Sequence, residues 1–185
     1  DALLRLLAWM SPAFPVGAFA WSAGLETAIV DGVVGDSASV EDWIAGSLQH
    51  GGIKTDAIFL SAAHRDFADA ARLAEIAELC LALTAASERH AETVQTGAAF
   101  ALAGAAWPSS GAALPNPCPY PIALGALAGS HGIDRRDTLV AFLTAAVHGQ
   151  VSVAVRLVPI GQVAGLSVVA GLEPAIAQVA DWCQD

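Results

Sequence analysis

Residues 134–157 read DRRDTLVAFLTAAVHGQVSVAVRL, and the fold turns on what this stretch becomes. A membrane span, a strand and a core helix compete for it. Residues 138–155 carry no charge, which puts them at the lower length limit for a spanning helix. Yet His148, Gly149, Gln150 and Ser152 cluster past the midpoint, where hydrocarbon would have to solvate them. The β-branched run VSVAVRLV (151–158) has strand character, but one run cannot make a sheet. Asp134 is placed to cap a helix and Asp137 falls in its first turn. The stretch reads as a buried core helix over 134–157, in a chain expected to stay out of the membrane.

Working outward, helical spacing recurs. Leu3, Leu4, Leu6, Leu7 and Met10 predict a helix over 2–10 that Pro12 ends or bends. Residues 21–30 read as a helix with Gly32 as its stop. Ser39, three residues before Asp42, signals a helix running to about His50. After the QHGGIKTD turn, Thr55 or Asp56 starts a helix through Phe67. Residues 69–83 place Leu73, Ile76, Leu79, Cys80 and Leu83 on one face, and a long helix follows from Ala85 to Ala106. WPSSGAALPNPCPYP (107–121) is too rich in proline and glycine for a regular element. Helices resume at 122–131, 134–157 and 174–183, with Pro159 and Gly161 breaking the chain before the last. The expectation is an all-α fold, one helical domain over residues 1–185 with about eight to ten helices. The absent initial Met suggests that the termini are truncated.

Composition narrows the function. Of 185 residues, 55% are hydrophobic and only 14% charged, too little charge to cover a solvated surface, so partners are expected to bury part of it. The net charge of −10, with Lys54 the only lysine, excludes the positive stripe that nucleic acid requires. Three scattered cysteines, Cys80, Cys118 and Cys183, without a C-x-x-C pair and without a signal pattern, point to a reducing, cytoplasmic setting.

Catalytic patterns fail on inspection. GGIKT (51–55) is no phosphate loop, because Ile53 stands where glycine must precede the lysine. His50, His64, His90, His131 and His148 form no i, i+4 pair and no H-E-x-x-H, so no metal site is expected. AWSAG (20–24) imitates a nucleophile elbow around Ser22, but that turn needs a strand before it and an α/β sheet around it. A helical hydrolase using Ser22 or Cys118, or a helical small-molecule-binding bundle, therefore stands as the alternative. Arg156 lies in an apolar run with no neighbouring acid and must find a carboxylate or carbonyls inside the fold or across a dimer.

One stretch goes further. LLAWMSPAFPVGAFAWSAGLETAIVDGVV (6–34) resembles the N-terminal signature of the urease accessory protein F family, with Ser11, Pro15, Val16, Gly17, Phe19, Ser22, Gly24, Leu25 and Glu26 in order. Residues 120–174 are similar to the family's C-terminal half, where AVRLVPIGQ sets Ala154, Arg156, Leu157, Pro159, Gly161 and Gln162 on its motif. Tyr120 and Gly97-Ala98 depart from the usual family residues.

The resemblance implies a helical, dimerising, non-enzymatic urease maturation factor with no cofactor of its own, since partners handle the nickel. Its implied partners are the urease-binding accessory protein D (or H), the nickel-carrying GTPase G and apo-urease. It would couple GTP hydrolysis to nickel delivery. On this basis Phe19, Trp21, Ser22 and Glu26 are candidate partner contacts, and Pro15, Gly17, Arg156, Gly161 and Gln162 are structural or dimer-interface candidates. Pro12, Pro15 and Gly17 would hold an ordered connector that presents Phe14, Phe19 and Trp21 to the core or to a partner.

Overall fold

The computed structural model describes residues 2–17, 21–84, 86–108 and 111–184. Its helices are α1 (Ala2–Trp9), α2 (Leu25–Val30), α3 (Ser37–His50), α4 (Gly52–Arg65), α5 (Ala70–Ala82), α6 (Ser87–Gly104), α7 (Tyr120–Ser130), α8 (Arg135–Leu157) and α9 (Gln162–Trp182). Among the described residues there is no strand, and the all-α expectation holds.

Helix α7 forms the centre. Every residue from Pro121 to Gly129 is buried, and α4, α6, α5 and α8 surround it. Glycine makes this possible. A Cβ at Gly125 would overlap the Leu60 carbonyl oxygen of α4, and one at Gly129 would stand 2.6 Å from the His64 carbonyl. A Cβ at Gly97 of α6 would overlap the Cys118 carbonyl, so the backbone leading into α7 also lies directly on a glycine. Pro121 sits in the first turn, where its missing N–H costs nothing.

Polar ties fix the layers. Arg89 of α6 bridges Asp56 of α4 and Glu92, and all three side chains are half-buried. His64 Nε2 donates to the Ile133 carbonyl at 2.8 Å, joining α4 to the α7–α8 turn. Lys54 Nζ lies 3.9 Å from the ring centroid of Trp182, which links the start of α4 to the end of α9.

Several boundaries differ from expectation, each for a local reason. Helix α2 starts at Leu25 rather than Trp21, because Ala23 (φ 51°) and Gly24 (φ 85°) are left-handed. The cap of α3 is Asp36, which accepts from the Ser39 N–H at 2.8 Å while Ser39 Oγ returns to the Asp36 N–H. Ser39 is thus the reciprocal partner of the cap and not the cap itself. Helix α4 runs from Gly52 to Arg65, three residues earlier than Thr55 and ending before Phe67. In α5, Leu73, Ile76, Ala77 and Cys80 are buried, whereas Leu79 and Leu83 face out.

The largest correction is α9. It begins at Gln162, not 174, and carries Pro174 inside it. Pro174 has no N–H to give the Ala170 carbonyl four residues back, and Ala170 is exposed, so solvent can serve that carbonyl. Val168, Leu172, Ile176 and Val179 continue one buried face straight through the proline. The expected break survives only as the short turn at 158–161. Helix α8 matches the expected 134–157 element, with Asp134 accepting from the Asp137 N–H at 3.0 Å. Both α8 and α9 are long and apolar enough to cross a membrane by length and composition, and half of the α8 window is buried inside the fold.

Candidate functional site

Helix α8 presents His148, Ser152 and Arg156 at i, i+4 and i+8, so the three share one stripe. Against that stripe α9 sets Gln162, Gly165, Leu166 and Val169, and Val151 and Val155 close the floor. The result is an open groove of about 330 Å³. Gly165 sets its depth, since an added Cβ would stand 2.8 Å from Val155 Cγ2 and 3.0 Å from Val151 Cγ1. Leu166 in its lining is 62% exposed, and Val163, next in α9 after Gln162, is 79% exposed.

The cations of the molecule differ in what they meet. Arg65, Arg72, Arg89 and Arg136 are ion-paired. Arg5 meets His131, Arg135 donates to the Gln184 carbonyl, and Lys54 covers Trp182. Arg156 has only a neutral hydroxyl on its own helix, Ser152 Oγ at 3.0 Å, and no carboxylate within ion-pair distance among the described residues. It is exposed, so an internal structural role is corrected: it found neither a buried carboxylate nor buried carbonyls. A guanidinium over an apolar floor, beside exposed leucine and valine, suits a carboxylate carried on an apolar segment of another protein.

The structure brings Arg156 and Gln162 together in this groove, with Gly161 capping the start of α9 in extended conformation. The described N-terminal candidates, Pro15, Gly17, Trp21, Ser22 and Glu26, do not line it. Pro15 and Gly17 are exposed, and Gly17 takes a left-handed φ of 73° that favours glycine. Phe14 packs inward, its ring 5.4 Å from Phe100 and 6.2 Å from Trp107. Trp21 and Ser22 are half-buried and Glu26 is exposed on α2. Gln150 Nε2 donates to the Ser22 carbonyl at 3.0 Å, anchoring this segment on α8. Phe19 lies outside the described residues. Sequence reasoning took His148 and Ser152 as polar groups unsuited to a membrane span, although the four-residue steps from His148 to Ser152 to Arg156 were a readable signal.

The catalytic alternatives lose their footing. Burial pushes the Cys118 thiol up to about 12, and its Sγ rests 3.7 Å from the Pro119 carbonyl, so it supplies no thiolate. Ser22 is held through its carbonyl, and among the described residues no histidine is hydrogen-bonded to its hydroxyl. No group of three His, Cys, Asp or Glu side chains is placed to hold a metal among the described residues.

Comparison with known proteins identifies the family. The family model described as UreF matches residues 34–173. The chain is 50% identical to the urease accessory protein UreF of Rhizobium etli over 181 residues, covering 97% of this chain and 81% of that protein. It is 51% identical to the same-named protein of Rhizobium leguminosarum bv. viciae, at the same coverage of both. Against that of Mesorhizobium japonicum the identity is 45%, again over 97% and 81%. With the helical fold and the end-to-end match, the chain belongs to the UreF family of urease accessory proteins.

Proposed function

We propose that this chain is an adaptor in urease maturation, bridging the urease-binding accessory protein D (or H) and the nickel-carrying GTPase G. In this reading it couples GTP hydrolysis to nickel delivery into apo-urease, acts in the cytoplasm as a homodimer, and leaves the metal to its partners. Its relatives are named urease accessory proteins, which accords with a non-enzymatic role. The observation that carries the adaptor reading is the α8–α9 groove, where Arg156 lacks a carboxylate and apolar side chains stand exposed beside it. A partner's acidic side chain would complete that arrangement. Trp21, Ser22 and Glu26, in a segment held to α8 by the Gln150 hydrogen bond to the Ser22 carbonyl, form a second contact surface.

The test is capture of each purified partner by this chain and by Arg156→Glu. The wild type is expected to retain both partners, and the variant to retain one of them about tenfold less well. Failure of the wild type to retain either partner would overturn the adaptor reading. Equal capture of both by the variant would remove the groove from it.

A further inference from the structure

We propose that His131 is an acid-release latch for the N-terminal helix: protonation of its ring frees α1 from the body of the protein. Helix α1 is lightly held. Of its eight residues only Leu6 and Trp9 are buried, and Leu3, Leu4 and Leu7 are each more than 60% exposed. Its Arg5 reaches across to His131, with Nη1 donating to the ring Nδ1 at 3.1 Å. The other ring nitrogen, Nε2, lies 3.1 Å from the Trp107 carbonyl.

These two contacts set the proton's position. A guanidinium only donates, so Nδ1 must accept; a carbonyl only accepts, so Nε2 must carry the hydrogen. The ring is therefore neutral, in one tautomer, when the latch is closed. A second proton on Nδ1 would point an N–H at an N–H and set two positive charges together. The hydrogen bond then becomes a repulsion.

Among the described residues, no charged group offsets that change. Facing the ring, α1 contributes Arg5 and the uncharged Trp9, whose ring centroid is 5.4 Å away, and the connector after α6 contributes the neutral Trp107 carbonyl. The pair at the start of α8, Asp134 and Arg135, acts on His64 instead. Burial and Arg5 both hold the His131 ring below the ordinary imidazole value, in the direction this geometry requires. Trp9 also meets Phe100 and Trp107 edge-on, so opening the latch loosens the aromatic contacts that seat α1.

The experiment is hydrogen exchange on the full chain at about pH 7.5 and about pH 5.5, corrected for intrinsic rates, in the wild type and in His131→Gln. Protection of α1 should fall about tenfold in acid in the wild type while α7 and α8 hold, and should stay flat in His131→Gln. An α1 protection that ignores pH, or an equal fall in the variant, would overturn the latch. Should His131→Gln fail to fold, the wild-type ring titrated by NMR decides. A midpoint matching α1 release supports the latch, and one displaced by more than about one pH unit rejects it.

Discussion

Helices α7 and α9 are written in nearly the same alphabet of alanine, glycine, leucine, isoleucine and valine, yet they end in different surroundings. In α7 the stretch from Pro121 to Gly129 is buried all round. In α9 one face is buried through Val168, Leu172, Ile176 and Val179, while Val163 and Leu166 stand out in solvent beside the groove. The glycines differ in what they meet. Gly125 and Gly129 lie against backbone carbonyls of α4, whereas Gly165 meets the side-chain tips of Val151 and Val155. Apolar composition says that a helix leaves water; it does not say which molecule covers it.

Substitutions at the two sites separate these cases. The largest effect is expected from Gly125→Val, because a backbone carbonyl cannot yield as a flexible side chain can. It should cost about 3 kcal/mol or more in urea denaturation, and a wild-type midpoint would mean that α4 and α7 do not approach so closely. Arg89→Leu comes next. It leaves Asp56 and Glu92 half-buried without their cation, for a loss of about 2–3 kcal/mol. A neutral outcome would show that the bridge does not hold α6 to α4. Leu166→Ser should change stability least, within about 0.5 kcal/mol, while weakening capture of a maturation partner. A core-sized loss of stability at Leu166 would mean that the rim of α9 is covered within the fold.

Much of the architecture was legible because local signals and tertiary packing agree. Asp134, with Asp137 behind it, announced α8, and the proline-rich run before Tyr120 announced the connector into α7. The misreadings arise where packing overrides a local rule. Pro174 reads as a boundary, but the buried face of α9 runs through it, and the residue that loses its hydrogen-bond donor, Ala170, is exposed. Leu79 and Leu83 fit the helical period of α5 but lie outside its buried arc. The groove was half legible. His148, Ser152 and Arg156 share a stripe that spacing alone reveals, whereas Gln162 and Leu166 reach it only through the α8–α9 turn. The isolation of Arg156 in its apolar run reads as a demand for a partner inside the fold or across a dimer, and its exposure removes the first of these, because spacing does not show that the side chain points outward.

The cation–π contact of Lys54 has a practical side. Because the chain has a single lysine, its one side-chain amine sits over Trp182, where α4 begins and α9 ends. An amine-directed fluorophore or cross-linker, read at Lys54 by peptide mapping to separate it from the N-terminal amine, would mark that seam without any engineered cysteine. Its protection in a mixed assembly would tell at once whether a bound protein covers this end of the bundle.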